Sequence, residues 1–155
     1  MRITVHSVAG KMPRWVADGV QEYEKRLPRE LKLTWRDVPL ANRSGASAEY
    51  LREREGAALL KGVAERDVVI ALDGRGKPWS TEDLAGQLEG WMMQGSPVSL
   101  LIGGPDGLHD SCLKAARSRW SLGPLTLPHP MVRVLLAEQL YRAWTITVGH
   151  PYHRA

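Results

Sequence analysis

The feature that most narrows the fold is a pair of unbroken apolar runs, DVVIALD at 67–73 and PVSLLIG at 97–103. A strand with one wet face alternates polar and apolar residues. A run that is apolar almost throughout belongs to a parallel strand covered on both faces. Each run leads into a glycine-bearing loop, DGRGKPWS after the first and GGPDG after the second. Two further segments, RITVHSV (2–8) and LKLTWRDV (31–38), are rich in alternating strand formers and read as strands.

Helical spacing fills the gaps between them. Pro13 opens a stretch with Trp15, Val16, Val20, Tyr23 and Leu27 on one side, which Pro28 closes. A second helix is predicted from about 47 to 63, with Leu51, Ala58, Leu59 and Val63 inward. Ser80, with Asp83 three positions on, reads as a variant capping box that starts a third helix carrying Leu84, Leu88, Trp91 and Met92. A short helix near 110–118, an extended WSLGPLTLPHP and a long helix from about 130 to 147 complete the chain. This alternation predicts an α/β fold, a mostly parallel sheet with helices on both faces. The 155 residues fit one domain, 1–155.

The last helix is apolar around most of its circumference: Met131, Val132, Val134, Leu135, Leu136, Leu140, Tyr141, Ala143, Trp144 and Ile146. Such a helix is buried on more than one face. Two readings stay open, a helix central to its own domain and a helix whose second face meets another copy of the chain.

Composition removes several classes of protein. With 43% hydrophobic and 25% charged residues, the chain is neither disordered nor a membrane protein. No run approaches the ~20 apolar residues of a membrane span. The N-terminal MRITVHSVAGKMP lacks the apolar core of a signal peptide, so a cytoplasmic location is expected. A single cysteine, Cys112, cannot form an internal disulfide, which suits a reducing compartment. A net charge of +4 and a pI near 9.5 fit a polyanionic partner, and fit a merely solvated basic surface equally well.

Chemistry is expected at three loops that follow apolar segments: Leu72 to Lys77, Ile102 to Gly107 and Leu122 to Pro128. In open α/β sheets, ligands bind outside the carboxyl ends of the strands, and glycines there let the backbone approach a ligand. The common nucleotide motifs fail. Ala71 stands where the first glycine of a phosphate-binding loop belongs, Pro78 replaces its Ser/Thr, and Trp79 takes the last glycine position of the dinucleotide fingerprint. His129, His150 and His153 offer no second ligand pair, so no metal is expected. No G-x-S-x-G elbow is present. The end of the chain, HPYHRA, gathers two imidazoles, a phenol and a guanidinium, groups that can stack a base, contact phosphate and handle a proton.

Taken together, LDGRGKPWSTEDLA, LLIGGPDGL, WSLGPLTLPHPMVRVLLAEQLYRAW, the terminal HPYHR and the N-terminal VAGKMPRWV closely resemble the SPOUT methyltransferases that act on N3 of a pseudouridine in 23S ribosomal RNA. The resemblance runs the length of the chain. It implies a C-terminal trefoil knot, a homodimer, S-adenosyl-L-methionine as cofactor and 23S rRNA in the assembled ribosome as substrate. Cofactor contacts carry over to Leu72, Asp73, Gly103, Gly104, Gly123, Pro124, Leu125, Thr126, Leu127 and Pro128. The substrate side carries over to Arg133, Arg142, Tyr152, His153 and Arg154, with Tyr152 or His153 as base or orienter. Gly123-Pro124 departs from the small pair such as Ser-Ala expected there, and Pro124 has no N–H to donate. Arg142 also stands four residues after Glu138, so an ion pair within the helix is open to it.

Overall fold

The structure, a computed structural model, describes residues 1–154 and the side chains of residues 1–152. Five strands, β1 (Arg2–Val8), β2 (Lys32–Val38), β3 (Val68–Pro78), β4 (Val98–Ile102) and β5 (Ser118–Ser121), form one sheet in the order β2-β1-β4-β3-β5. All four pairings are parallel. The helices are α1 (Arg14–Glu24), α2 (Ala48–Leu60), α3 (Thr81–Gln94), α4 (Asp110–Ala115) and α5 (His129–Thr147), followed by a 3-10 turn, Pro151–Arg154.

The two-residue period of the strands sorts side chains onto two faces. Ile3, Val5, Val68, Ile70, Val98 and Leu100 pack against Val16 and Val20 of α1, Leu84 and Leu88 of α3, and Leu136 and Leu140 of α5. Val8, Val38, Val69 and Leu101 point the other way, toward Leu59 of α2 and Cys112 of α4. The apolar runs of β3 and β4 are therefore covered on both sides, as their composition predicts. Each fully buried Leu or Ile contributes roughly 1.5–3 kcal/mol of transfer free energy to this arrangement.

Local signals position the elements. Ser80 caps α3 by accepting from the Asp83 N–H while Asp83 accepts from the Ser80 N–H, the reciprocal box read from the sequence. Gly95, left-handed at φ 77°, ends that helix. Ser47 caps α2 by accepting from the Tyr50 N–H. Helix α1 stops at Glu24, three residues short of the expected Leu27. Met92 is only partly buried, while Ala85 faces the core of α3 in full.

The DGRGKPWS segment differs most from expectation. Only its last residues form a connection, because β3 runs on to Pro78. Leu72 and Lys77 both stand opposite Trp120 of β5, so residues 73–76 bulge out of the ladder between them. Gly76 is required by close approach there: a Cβ would lie 2.6 Å from the Arg119 carbonyl oxygen. Helix α5 lies between α1 and α3 over the sheet, which accounts for most of its apolar circumference. Met131 and Leu135 remain exposed on it, as does Trp15 on α1.

Candidate active site

The bulge of β3 and the carboxyl ends of β4 and β5 converge on a cleft of about 230 Å³. It is lined by Leu72, Asp73 and Gly74 from β3, Ile102 from β4, Trp120 from β5, and Leu122, Gly123, Leu125 and Leu127 from the loop into α5, with Val132 behind. Five expected cofactor residues, Leu72, Asp73, Gly123, Leu125 and Leu127, thus share one wall. Pro124, Thr126 and Pro128 belong to the same loop and are exposed, outside the lining. Gly103 follows Ile102 directly. A Cβ on it would meet the Gly107 carbonyl carbon at 2.5 Å, so the tight Gly104–Gly107 turn fixes its identity. Gly104 faces Val8 and Glu55 instead of the cleft.

The cleft is apolar with a single charged member, Asp73, whose carboxylate lies 3.4 Å from exposed Arg75. Such a lining fits a ligand that carries an apolar body and a positive centre. Gly123, at φ 115°, has open space where a Cβ would stand, so a side chain there would strain the backbone and enter the cleft. Trp120 stacks on Trp79 at 5.0 Å, and its buried Nε1–H has no hydrogen-bond partner among the described residues. Trp120 and Val132 escaped the sequence reading because an aromatic in a strand and a valine in a helix both read as core.

The residues expected on the substrate side occupy two other places. Arg133, at the start of α5, is buried and bonded to Asp37, to Ser7 Oγ at 2.9 Å and to His129 Nε2 at 3.0 Å. Burial and the neighbouring Arg133 charge lower the His129 pKa, keeping its imidazole neutral. Farther along α5, Arg142 pairs with Glu138 at 2.8 Å, as their spacing allows, and lies 4.8 Å over the Tyr152 ring. Tyr152 Oη donates to Glu138 Oε2 at 2.7 Å. Burial, then the hydrogen bond to Glu138, pushes the Tyr152 phenol up to about 12. Burial works to raise the Glu138 carboxyl, but the Arg142 and Tyr152 bonds outweigh it and hold it below the usual range. Tyr152 at neutral pH is thus a protonated donor. The side chains of His153 and Arg154 lie outside the described residues.

The cleft and the Arg142–Tyr152 pair are not brought together within one chain. Val132 lines the cleft, and Arg142 stands ten residues on, about 15 Å along the helix at 1.5 Å per residue. No cluster of three metal-ligating side chains occurs among the described residues, and no helix there is long and apolar enough to cross a membrane.

A parallel sheet with an apolar crevice at its carboxyl edge defines a ligand-binding α/β protein. Solved structures share the fold. A probable methyltransferase from Bordetella pertussis matches at TM-score 0.57 and 14% identity, over 92% of this chain and 93% of its own. A probable methylase family protein from Haemophilus influenzae matches at TM-score 0.54 and 12% identity, over 97% and 69%. The family described as "Predicted SPOUT methyltransferase" matches residues 1–153. The relative from Hahella chejuensis is 54% identical over 99% of both chains, and that from Alkalilimnicola ehrlichii 53% over all of both. Both are named ribosomal RNA large subunit methyltransferase H. The chain belongs to the SPOUT methyltransferases, and within them to the family that carries that name.

Proposed function

We propose that this chain transfers a methyl group from S-adenosyl-L-methionine to N3 of a pseudouridine in 23S rRNA of the assembled ribosome. The cleft at the β3 bulge and the ends of β4 and β5, apolar apart from one carboxylate, is the observation that carries the cofactor reading. Full-length identity above 50% to proteins named for large-subunit rRNA methylation supports the substrate. In this reading the chain is one cytoplasmic domain whose C-terminal part threads through a loop as a trefoil knot.

S-adenosylmethionine supplies a methyl group already activated by its sulfonium. The chain's task is then alignment, exclusion of water and removal of the N3 proton. Leu72, Leu125 and Leu127 would flank the adenine, with backbone groups of the 122–128 loop beside it, and Asp73 would complement the positive charge. His153 takes the N3 proton, Tyr152 and Arg142 orient the tail against Glu138, and Arg154 contacts phosphate.

A homodimer completes the site. The cleft, at about 230 Å³, falls below the roughly 300 Å³ at which ligand pockets begin. The cleft and the Arg142–Tyr152 pair also stand apart in one chain. Trp15 on α1 and Met131 on α5, each 53% exposed on helices that pack together, offer apolar contacts to a second copy. That copy would bring its tail beside this cleft.

The reading is tested with labelled S-adenosylmethionine and ribosomes from cells lacking the corresponding methyltransferase, with or without the pseudouridine synthase. Label in 23S RNA that falls when the pseudouridine is absent is the expected result. Label in tRNA instead would move the target, and no cofactor binding would end the enzyme reading. Undiminished single-turnover methylation by His153→Ala would remove that residue's role.

A further inference from the structure

The mechanism leaves one buried charge unused. Glu55 on α2 is 3% exposed. Its Oε2 accepts the Ala41 N–H at 3.1 Å and lies 3.1 Å from Arg43 Nη2. The same Nη2 stands 3.4 Å from Asp106 Oδ2. Arg52, three residues before Glu55, donates to the Asp106 carbonyl at 3.4 Å. Asp106 belongs to the Gly103–Gly107 turn, which begins one residue after Ile102 in the cleft wall.

The turn is also packed against this carboxylate. A Cβ on Gly104 would lie 3.1 Å from Glu55 Oε1 and 3.0 Å from Val8 Cγ1, so a side chain there would press on both the carboxylate and β1. A carboxylate withdrawn from water is retained only where partners offset its desolvation. Every polar partner of Glu55 lies in the 39–47 loop, and one of them, Arg43, reaches on to the turn. That loop arches over a second cleft, of about 820 Å³, which Glu55 also lines. Arg43, Glu55 and Asp106 are all absent from the lining of the β3–β5 cleft. Any effect on the ligand there passes through the turn.

We propose that Glu55 and Arg43 are positioning residues that hold the Gly103–Gly107 turn in its cofactor-binding form, tying cofactor affinity to the 39–47 loop. The inference rests on the methyltransferase reading and deepens it. A purely structural ion pair would change melting temperature and leave the affinity of the folded protein alone. A positioning pair changes affinity at fixed fold.

The experiment is calorimetric titration of S-adenosylmethionine into the full-length protein, with a thermal melt of each sample, for wild type, Glu55→Gln, Arg43→Ala and Arg43→Lys. Glu55→Gln and Arg43→Ala are expected to weaken cofactor binding about tenfold, an ordinary size for coupling between two places in a protein. Turnover at saturating cofactor stays within about twofold, because the reacting groups are untouched. Arg43→Lys recovers most of the affinity. Equal affinity in all folded variants, whatever their melting temperatures, overturns the inference and leaves the methyltransferase reading intact. If Glu55→Gln does not fold, Asp106→Asn, at a half-exposed site, gives the same test with the same two outcomes. A wild-type protein that binds no S-adenosylmethionine overturns both readings together.

Discussion

The two faces of the sheet are built differently. Under α1, α3 and α5 the contacts are apolar side chains in a continuous layer, apart from the Arg133 cluster at its carboxyl edge. Under α2 and α4 the apolar cluster is small, and polar groups are buried beside it. His6 Nε2 lies 2.9 Å from Ser99 Oγ, which donates to Asp67, and His6 Nδ1 faces Arg36 at 3.1 Å. Arg36 in turn donates to the Ala58 and Leu59 carbonyls at the end of α2. Non-directional packing holds the first face, so it responds to volume. Directional bonds hold the second, so it responds to charge and fixes where α2 and its loops sit.

The largest effect that separates the faces is expected from Leu136→Ala, a fully buried position on α5. It should cost about 2–5 kcal/mol in denaturant unfolding, with no dependence on pH between 5 and 8. A loss below about 1 kcal/mol would break the picture of a tightly filled layer.

His6 sharpens the opposite face. Burial, then the Arg36 charge, lowers its pKa from 6.5 to about 4. The unfolded chain therefore takes up a proton first as the pH falls. Stability present above pH 6.5 declines toward pH 4, by roughly 3 kcal/mol at most for this group. His6→Gln should flatten that part of the stability profile, whatever its stability at pH 7. Parallel profiles for the two proteins would show that the polar face carries no such sensitivity.

Smaller effects come from the ends and rims. Ser80→Ala removes one half of the capping box and should cost about 1 kcal/mol, read as a lower melting temperature. Arg75→Ala breaks a pair whose arginine is 79% exposed, at the mouth of the cleft. Its stability effect should stay within about 0.5 kcal/mol. A larger loss would mean that the 73–76 bulge is held by that pair instead of by the β5 ladder.

What the sequence disclosed follows the same division. The apolar runs at 67–73 and 97–103 announced covered parallel strands, and Ser80 with Asp83 announced a helix start, because these signals are local. Glu138 and Arg142 met as their spacing allowed. The strand order was hidden, since the pairing of β1 with β4 depends on register between distant segments. The extension of β3 to Pro78 was hidden too: Gly74 and Gly76 read as turn residues, and only the resumed pairing of Lys77 and Pro78 with β5, with Gly76 close against Arg119 and Trp120, continues the strand past them. Leu72, Asp73 and the 122–128 loop were legible as strand-end loops. Glu55 was not, because REREGA reads as a solvated helix face until the 39–47 loop folds over it.

The place of β1 in the sheet has a consequence for synthesis. The first strand made lies inside the sheet, and Ile3 pairs with Val98 on one side. At ~5–20 residues per second, that partner is made roughly 5–20 s later. In the interval β1 can dock on β2 alone, and the edge along Ile3 to Ser7 stays open as a template for foreign strands. The nascent chain is thus most exposed to mispairing between the synthesis of β2 and that of β4, and slowing the ribosome there should lengthen that window in proportion.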